Sequence, residues 1–131
     1  MSEPNARRVL FFCLGNICRS PLAEALFRHH AEKRGIGEKF DVQSAGTSRY
    51  HVGESPDPGS QNVARERLGR DISGQRAQQL DEGHLQEFDD LIAMSESNIQ
   101  DARRLSGSED VAFKLLRDWE PNESDRSSDV P

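Results

Sequence analysis

The chain has 131 residues, of which 31% are charged and 34% apolar, and its formal net charge is −6. That length suits one domain and is short for two, so residues 1–131 are expected to form a single domain. The acidic balance argues against a nucleic-acid partner, which would call for a basic face; no apolar run nears the roughly 18 residues of a membrane span; and the polar start Met1–Arg8 with the short run Val9–Leu14 does not match a signal peptide.

Val9-Leu10-Phe11-Phe12 is continuously apolar and predicts a strand buried on both faces, as in a parallel sheet. A glycine-containing loop follows and leads to Ser20-Pro21, a good N-cap and a good first helical residue. The helix that follows carries Leu22 and Leu26, Ala23 and Phe27 at helical spacing, with Glu24 and Arg28 paired outside, and Gly35 ends it. Phe40–Ser44 alternates as a second strand, and Gly53–Gly59 is a Pro- and Gly-rich loop. A helix is expected from about Pro58 to Leu68, stopping at Gly69, and a short one over Asp81–Glu87. Leu91–Met94 reads as a third strand, and Ser95 caps a helix with Ile99, Ala102 and Leu105 on one side. Val111–Leu116 is the fourth strand, and Asn122–Pro131 reads as a loop or disordered tail. Strands alternating with helices predict an α/β fold with a parallel sheet, whose ligands lie at the carboxyl ends of the strands.

Cys13 and Cys18 lie in one short segment, so a bridge between them would staple almost nothing. A reducing compartment, the cytoplasm, is the expectation. With no further cysteine pair and four scattered histidines, a four-ligand zinc site is not expected; no cofactor is expected.

The segment Cys13-Leu14-Gly15-Asn16-Ile17-Cys18-Arg19-Ser20 leaves the first strand and enters the first helix. Such a loop can curl so that successive main-chain amides of Leu14 to Ser20 point inward, and with the helix N-terminus they form an anion site. Gly15 and Asn16 tolerate the left-handed conformations a tight curl demands. Arg19 can give two parallel hydrogen bonds to a phosphate. Cys13 faces the same anion, and the positive potential of Arg19 and the helix end favours its thiolate, an in-line nucleophile for phosphorus. Ser20 has two readings that can hold together: it caps the helix, and its hydroxyl donates to the Cys13 sulfur. No Gly-Lys-Ser/Thr follows the glycine, which excludes a Walker-type nucleotide loop.

These residues, continued through Pro21-Leu22-Ala23-Glu24-Ala25, resemble the signature of the low-molecular-weight protein tyrosine phosphatase family. Ser44–Ser48 and Ala93-Met94 with Glu96-Ser97-Asn98 are similar to further family landmarks, and the likeness runs from Val9 to about Arg104. The resemblance implies a three-layer α/β/α fold with a four-stranded parallel sheet. It implies hydrolysis of phosphotyrosine in proteins, or of small phosphomonoesters, through a cysteinyl-phosphate without metal. It also implies that Asn16, Ser20 and Ser44 support the loop, that Cys18 is a reversible redox partner of Cys13, and that Tyr50 and His51 wall the substrate cleft.

The chain departs from the family pattern in three ways. The family's general acid lies in an Asp-Pro pair after the fourth strand, whereas the Asp-Pro pair here is Asp57-Pro58 and the sequence ends at Asp129-Val130-Pro131. The family's closing helix is absent, which is expected to leave apolar sheet surface in need of a partner. Gln75 stands where a histidine is usual, and Ser95 where an aspartate is. The expectation is a fragment lacking its acid; Asp118 and Asp129 are candidate stand-ins, but outside the family context both read as ordinary solvated carboxylates. Losing the acid costs roughly 10²–10⁴ in rate, least for good leaving groups. A phosphate-binding or phosphoprotein-trapping module is therefore the alternative function. An arsenate reductase would need cysteines after Cys18, and a phosphoarginine phosphatase tends to carry threonine where Ile17 stands.

Overall fold

The apolar run near the start becomes the strand around which the fold is built. In the computed structural model, which describes residues 6–15, 19–48, 51–106 and 112–116, β1 spans Arg7–Cys13. It pairs in parallel with β2 (Phe40–Gly46) on one side and β3 (Asp90–Ala93) on the other, and β4 (Lys114–Leu115) completes the order β2-β1-β3-β4. β1 is therefore interior, which is why its middle carries no polar residue: Val9, Leu10, Phe11 and Phe12 are all at most 3% exposed.

Alternation along β1 assigns its side chains to two cores. Leu10 and Phe12 join Leu91, Ala93 and Leu115 under α3 (Glu82–Glu87) and α4 (Glu96–Ser106), which contribute Leu85, Ile99 and Ala102. Val9, Phe11 and Cys13 join Val42, Ile92 and Met94 under α1 (Arg19–Lys33), which contributes Ala23 and Phe27. A helix layer on each face gives the three-layer arrangement expected from the family likeness. α2 (Pro58–Val63) packs on the outer side of α1, where Ala25 meets Ala64 and Ile72.

Local chemistry explains the element ends. Asp57 caps α2 by accepting from the Gly59 and Ser60 amides, so the chain's Asp-Pro pair is a helix start. The predicted single helix to Leu68 instead widens into a π turn over Ala64–Leu68 and ends at Gly69 with φ +64°. Asp81 and His84 form a reciprocal capping box on α3. Ser95 accepts from the Asn98 amide at 3.3 Å and starts α4 as expected. Two readings of the pattern need correction. Leu105 is 37% exposed, because the last turn of α4 lies beyond the buried stripe of Ile99 and Ala102. The fourth strand is confined to Lys114–Leu115; Val111 and the tail Asn122–Pro131 lie outside the described residues.

At the amino ends of the strands Asp90 takes a bidentate bond from Arg7 at 2.6 and 3.0 Å and a third contact from Lys114 at 3.3 Å. That bond to the Arg7 guanidinium holds the Asp90 carboxyl below its ordinary range. The opposite ends of the strands carry the candidate site. β2 and β3 flank β1 on opposite sides, so a topological switch point falls at the carboxyl end of β1, at Cys13.

Candidate active site

Cys13 is the last residue of β1, 3% exposed, with a free thiol. Its inward position follows from the same alternation that buries Val9 and Phe11. Ser20, in the first turn of α1 and fully buried, places its hydroxyl oxygen 3.1 Å from the Cys13 sulfur and 3.5 Å from the Ala45 carbonyl. The sulfur and the Ala45 carbonyl are thus both acceptors for the one hydroxyl proton. With a protonated thiol it is directed to Ala45; with a thiolate it is directed to sulfur, where a charge-assisted bond is stronger. The helix is assigned from Arg19, so Ser20 and Pro21 lie inside its first turn. Proline there removes an amide that no intrahelical acceptor needs.

The turn after β2 fixes the start of the loop. The Thr47 amide donates to the Cys13 carbonyl and the Ser48 amide to the Leu14 carbonyl, each at 2.9 Å. Leu14 is 56% exposed at the mouth of the site. Arg19, partly buried, opens α1 one residue before Ser20, so its side chain leaves the helix end that adjoins the sulfur. Ser44 is buried in β2 and favours the ionised form of Glu24, which lies one turn along α1 from Ser20. Burial pushes the Glu24 carboxyl above its ordinary range, against the opposing pull of Arg28, whose Nε lies 3.1 Å away. His51 is exposed to solvent in the turn after Ser48 and pairs with Glu54, Nδ1 to Oε2 at 2.7 Å.

The structure thus brings Cys13, Leu14, Gly15, Arg19 and Ser20 to one strand–helix junction, with Ser44 behind it. Asn16, Ile17, Cys18, Tyr50, Asp118 and Asp129 lie outside the described residues. Among the described residues no cluster of histidine, cysteine or carboxylate side chains could hold a metal ion, and no helix is long and apolar enough to cross a membrane. Sequence reasoning missed the parts played by Thr47, Ser48 and Gln78. They act mainly through main-chain groups, which leave no mark in residue type beyond the Ser-Ala-Gly-Thr-Ser string.

Comparison with known proteins agrees with this geometry. A family model described as low molecular weight phosphotyrosine protein phosphatase matches residues 8–131. The chain is 43% identical over 124 residues to the low molecular weight protein-tyrosine-phosphatase YfkJ of Bacillus subtilis, covering 94% of this chain and 78% of that protein. It is 39% identical over 124 residues to the human low molecular weight phosphotyrosine protein phosphatase, covering 92% and 77%. The crystal structure of YfkJ superimposes with a TM-score of 0.88 at 39% identity, over 99% of this chain and 80% of that one. A product-state mimic of a protein tyrosine phosphatase from Entamoeba histolytica gives 0.83 at 28% identity, over 96% and 79%.

Proposed function

We propose, from the premise that the chain belongs to the low molecular weight phosphotyrosine protein phosphatase family and is an enzyme of that kind, that Cys13 is its nucleophile and a cysteinyl-phosphate its intermediate. The observation that carries this reading is the buried Cys13 sulfur 3.1 Å from the Ser20 hydroxyl at a strand–helix junction. The sulfur lone pair attacks phosphorus and the bond from phosphorus to the tyrosyl oxygen breaks, its electron pair leaving on that oxygen. Water then attacks the phosphocysteine, the sulfur leaves as thiolate, and inorganic phosphate is released. Ser20 contributes in both steps, because its proton is available to sulfur whenever sulfur carries charge. Arg19 and the amides of the loop Leu14–Ser20 supply the anion site, and the guanidinium matches two phosphoryl oxygens. Asn16 and Ser44 support the loop, Tyr50 and His51 wall the cleft, and Cys18 protects Cys13 by reversible disulfide formation. A buried free thiol as nucleophile fits a reducing compartment such as the cytoplasm.

The substrate class is the phosphotyrosine side chain in proteins, with small aryl phosphates as surrogates. The test compares the parent with Cys13→Ser on p-nitrophenyl phosphate and on a phosphotyrosine peptide, with acid-quenched mass spectrometry for the phosphoenzyme. The parent is expected to turn over both and to carry one phosphoryl group on Cys13; the variant is expected at background. Turnover retained in Cys13→Ser, or a phosphoryl group on another residue, would overturn the assignment.

A further inference from the structure

Residues Gln75–Leu80 belong to no helix or main strand, yet they join the turn His51–Glu54 to the end of β2. The chain runs beside the outer side of β2, an edge strand of the sheet, and bridges it at Gly46. There the Gly46 amide donates to the Gln78 carbonyl at 2.8 Å and the Leu80 amide donates to the Gly46 carbonyl at 2.7 Å. The Gln78 side chain adds a bond from Nε2 to the Ser44 carbonyl at 2.8 Å and another to Gln43 Oε1 at 3.3 Å. One residue earlier, Ala77 is held at both main-chain groups by the turn after the site: its amide donates to Glu54 and its carbonyl accepts from Gly53, each at 2.8 Å. That turn carries the His51–Glu54 pair and is closed by the Glu54 amide donating to the His51 carbonyl. From Gly46 the chain continues to Thr47 and Ser48, whose amides hold the carbonyls of Cys13 and Leu14.

We propose that Ala77 and Gln78 are positioning residues for the wall of the substrate cleft and not for the phosphoryl transfer itself. Their main chain couples the turn His51–Glu54 to the backbone of Cys13 and so sets the width of the site for a substrate larger than its phosphoryl group. The coupling is geometric. Between residues 48 and 51 the chain is short, but a short loop fixes one end only; the bonds to Ala77 fix the other. Glu54 and Gly53 are referred through Ala77 to Gln78, through Gln78 to Gly46, and through the two amides beyond it to the nucleophile. This inference rests on the readings of Cys13 as the reaction centre and of His51 as a wall of the cleft.

Two variants of the full chain test it. Ala77→Pro removes the amide that donates to Glu54. Because proline there also constrains the backbone, Gly53→Ala is the second variant. Its added Cβ would meet nothing within 4 Å, but φ at Gly53 is +87°, which a side chain disfavours, so the turn shifts without filling the site. For a folded variant KM for a phosphotyrosine peptide is expected to rise about tenfold, while kcat/KM for p-nitrophenyl phosphate stays within about twofold, since only the peptide needs the wall. Equal losses on both substrates, or none on either, would overturn the proposal. Site-resolved amide exchange reads the coupling without chemistry. In Gly53→Ala, faster exchange at the Gly46 and Leu80 amides as well as at the turn supports it, and parental exchange at those two amides overturns it. If the parent hydrolyses neither substrate, the reading of the active site fails, and the exchange data still decide the coupling.

Discussion

The two faces of the sheet are built from the same strands and end up with different tasks. On one face Leu10, Phe12, Leu91, Ala93 and Leu115 are closed in by α3 and α4, with Phe113 edge-on to Phe12 at 5.8 Å between ring centroids. On the other, α1 covers Val9, Phe11 and Val42 with Ala23 and Phe27. Beside it run two apolar grooves of about 400 and 420 Å³ that share Phe11, Phe27, Phe40 and Leu116. The second face carries Cys13 and Ser20. One residue of register separates them: Phe12 points into the closed core, and Cys13 points to the helix whose first turn holds its hydroxyl partner. Stability and reactivity are thus assigned to opposite sides by the pleat alone.

The largest effect that would break this comparison is on stability. Phe12→Ala is expected to cost about 3–5 kcal/mol, the usual range for a large core aromatic. Phe11 is nearly as buried as Phe12 but lines the two grooves, so its truncation opens into them rather than leaving a closed cavity. Phe11→Ala is therefore expected to cost roughly 1–2 kcal/mol less, because truncation costs track the cavity created. Urea unfolding at neutral pH measures both. Equal losses of stability would show that the α1 face is as tightly closed as the other.

The next effect sharpens the chemical half of the comparison. Ser20→Ala removes the hydroxyl 3.1 Å from the sulfur. A hydrogen bond to a charged group contributes roughly 1.5–3 kcal/mol, and about 1.4 kcal/mol corresponds to tenfold in rate. Turnover of p-nitrophenyl phosphate should therefore fall about 10–100-fold. Ser20→Thr, which keeps the hydroxyl, should recover part of it. A parental rate in Ser20→Ala, measured at several pH values, would remove the hydroxyl from the mechanism.

Those effects attach to residues that sequence pattern finds well. The unbroken run Val9–Phe12 announces a strand buried on both faces, and the strand–loop–helix order around Cys13 and Arg19 points to the proposed anion site. Both depend on neighbours in the chain. Asp57 and Asp81 as helix caps are equally legible, since capping is local chemistry. The segment Gln75–Leu80 is not. Its bonds to Gly46 and Glu54 join residues far apart in sequence and use mostly main-chain groups, so Arg-Ala-Gln-Gln reads as plain loop. The fourth strand is shorter than its pattern suggests, because Val111–Leu116 has strand composition while the register reaches only Ile92 and Ala93. Leu105 fails differently: helical spacing predicts the face a residue shares, not where the neighbouring layer ends.

The smallest effect concerns pH, where two carboxylates act with opposite sign. Asp90, at the foot of the sheet, is held below its ordinary range chiefly by its hydrogen bond to Arg7. Its folded form is the better acid, so it contributes stability above the unfolded value of about 3.9, and that contribution is lost as pH falls through the folded value. Glu24, on α1 behind the active-site loop, is held above its ordinary range chiefly by burial. Its folded form binds the proton more tightly, so it lowers stability as pH rises from about 4.3 through its folded value. Asp90→Asn should therefore weaken the loss of stability at the acid end, and Glu24→Gln should flatten the decline just above it. Urea midpoints taken from pH 3 to pH 7 separate the two. If Glu24→Gln leaves the slope above about pH 4.3 unchanged, burial behind the loop does not burden that carboxyl. The α1 face would then carry no electrostatic cost that the closed face lacks.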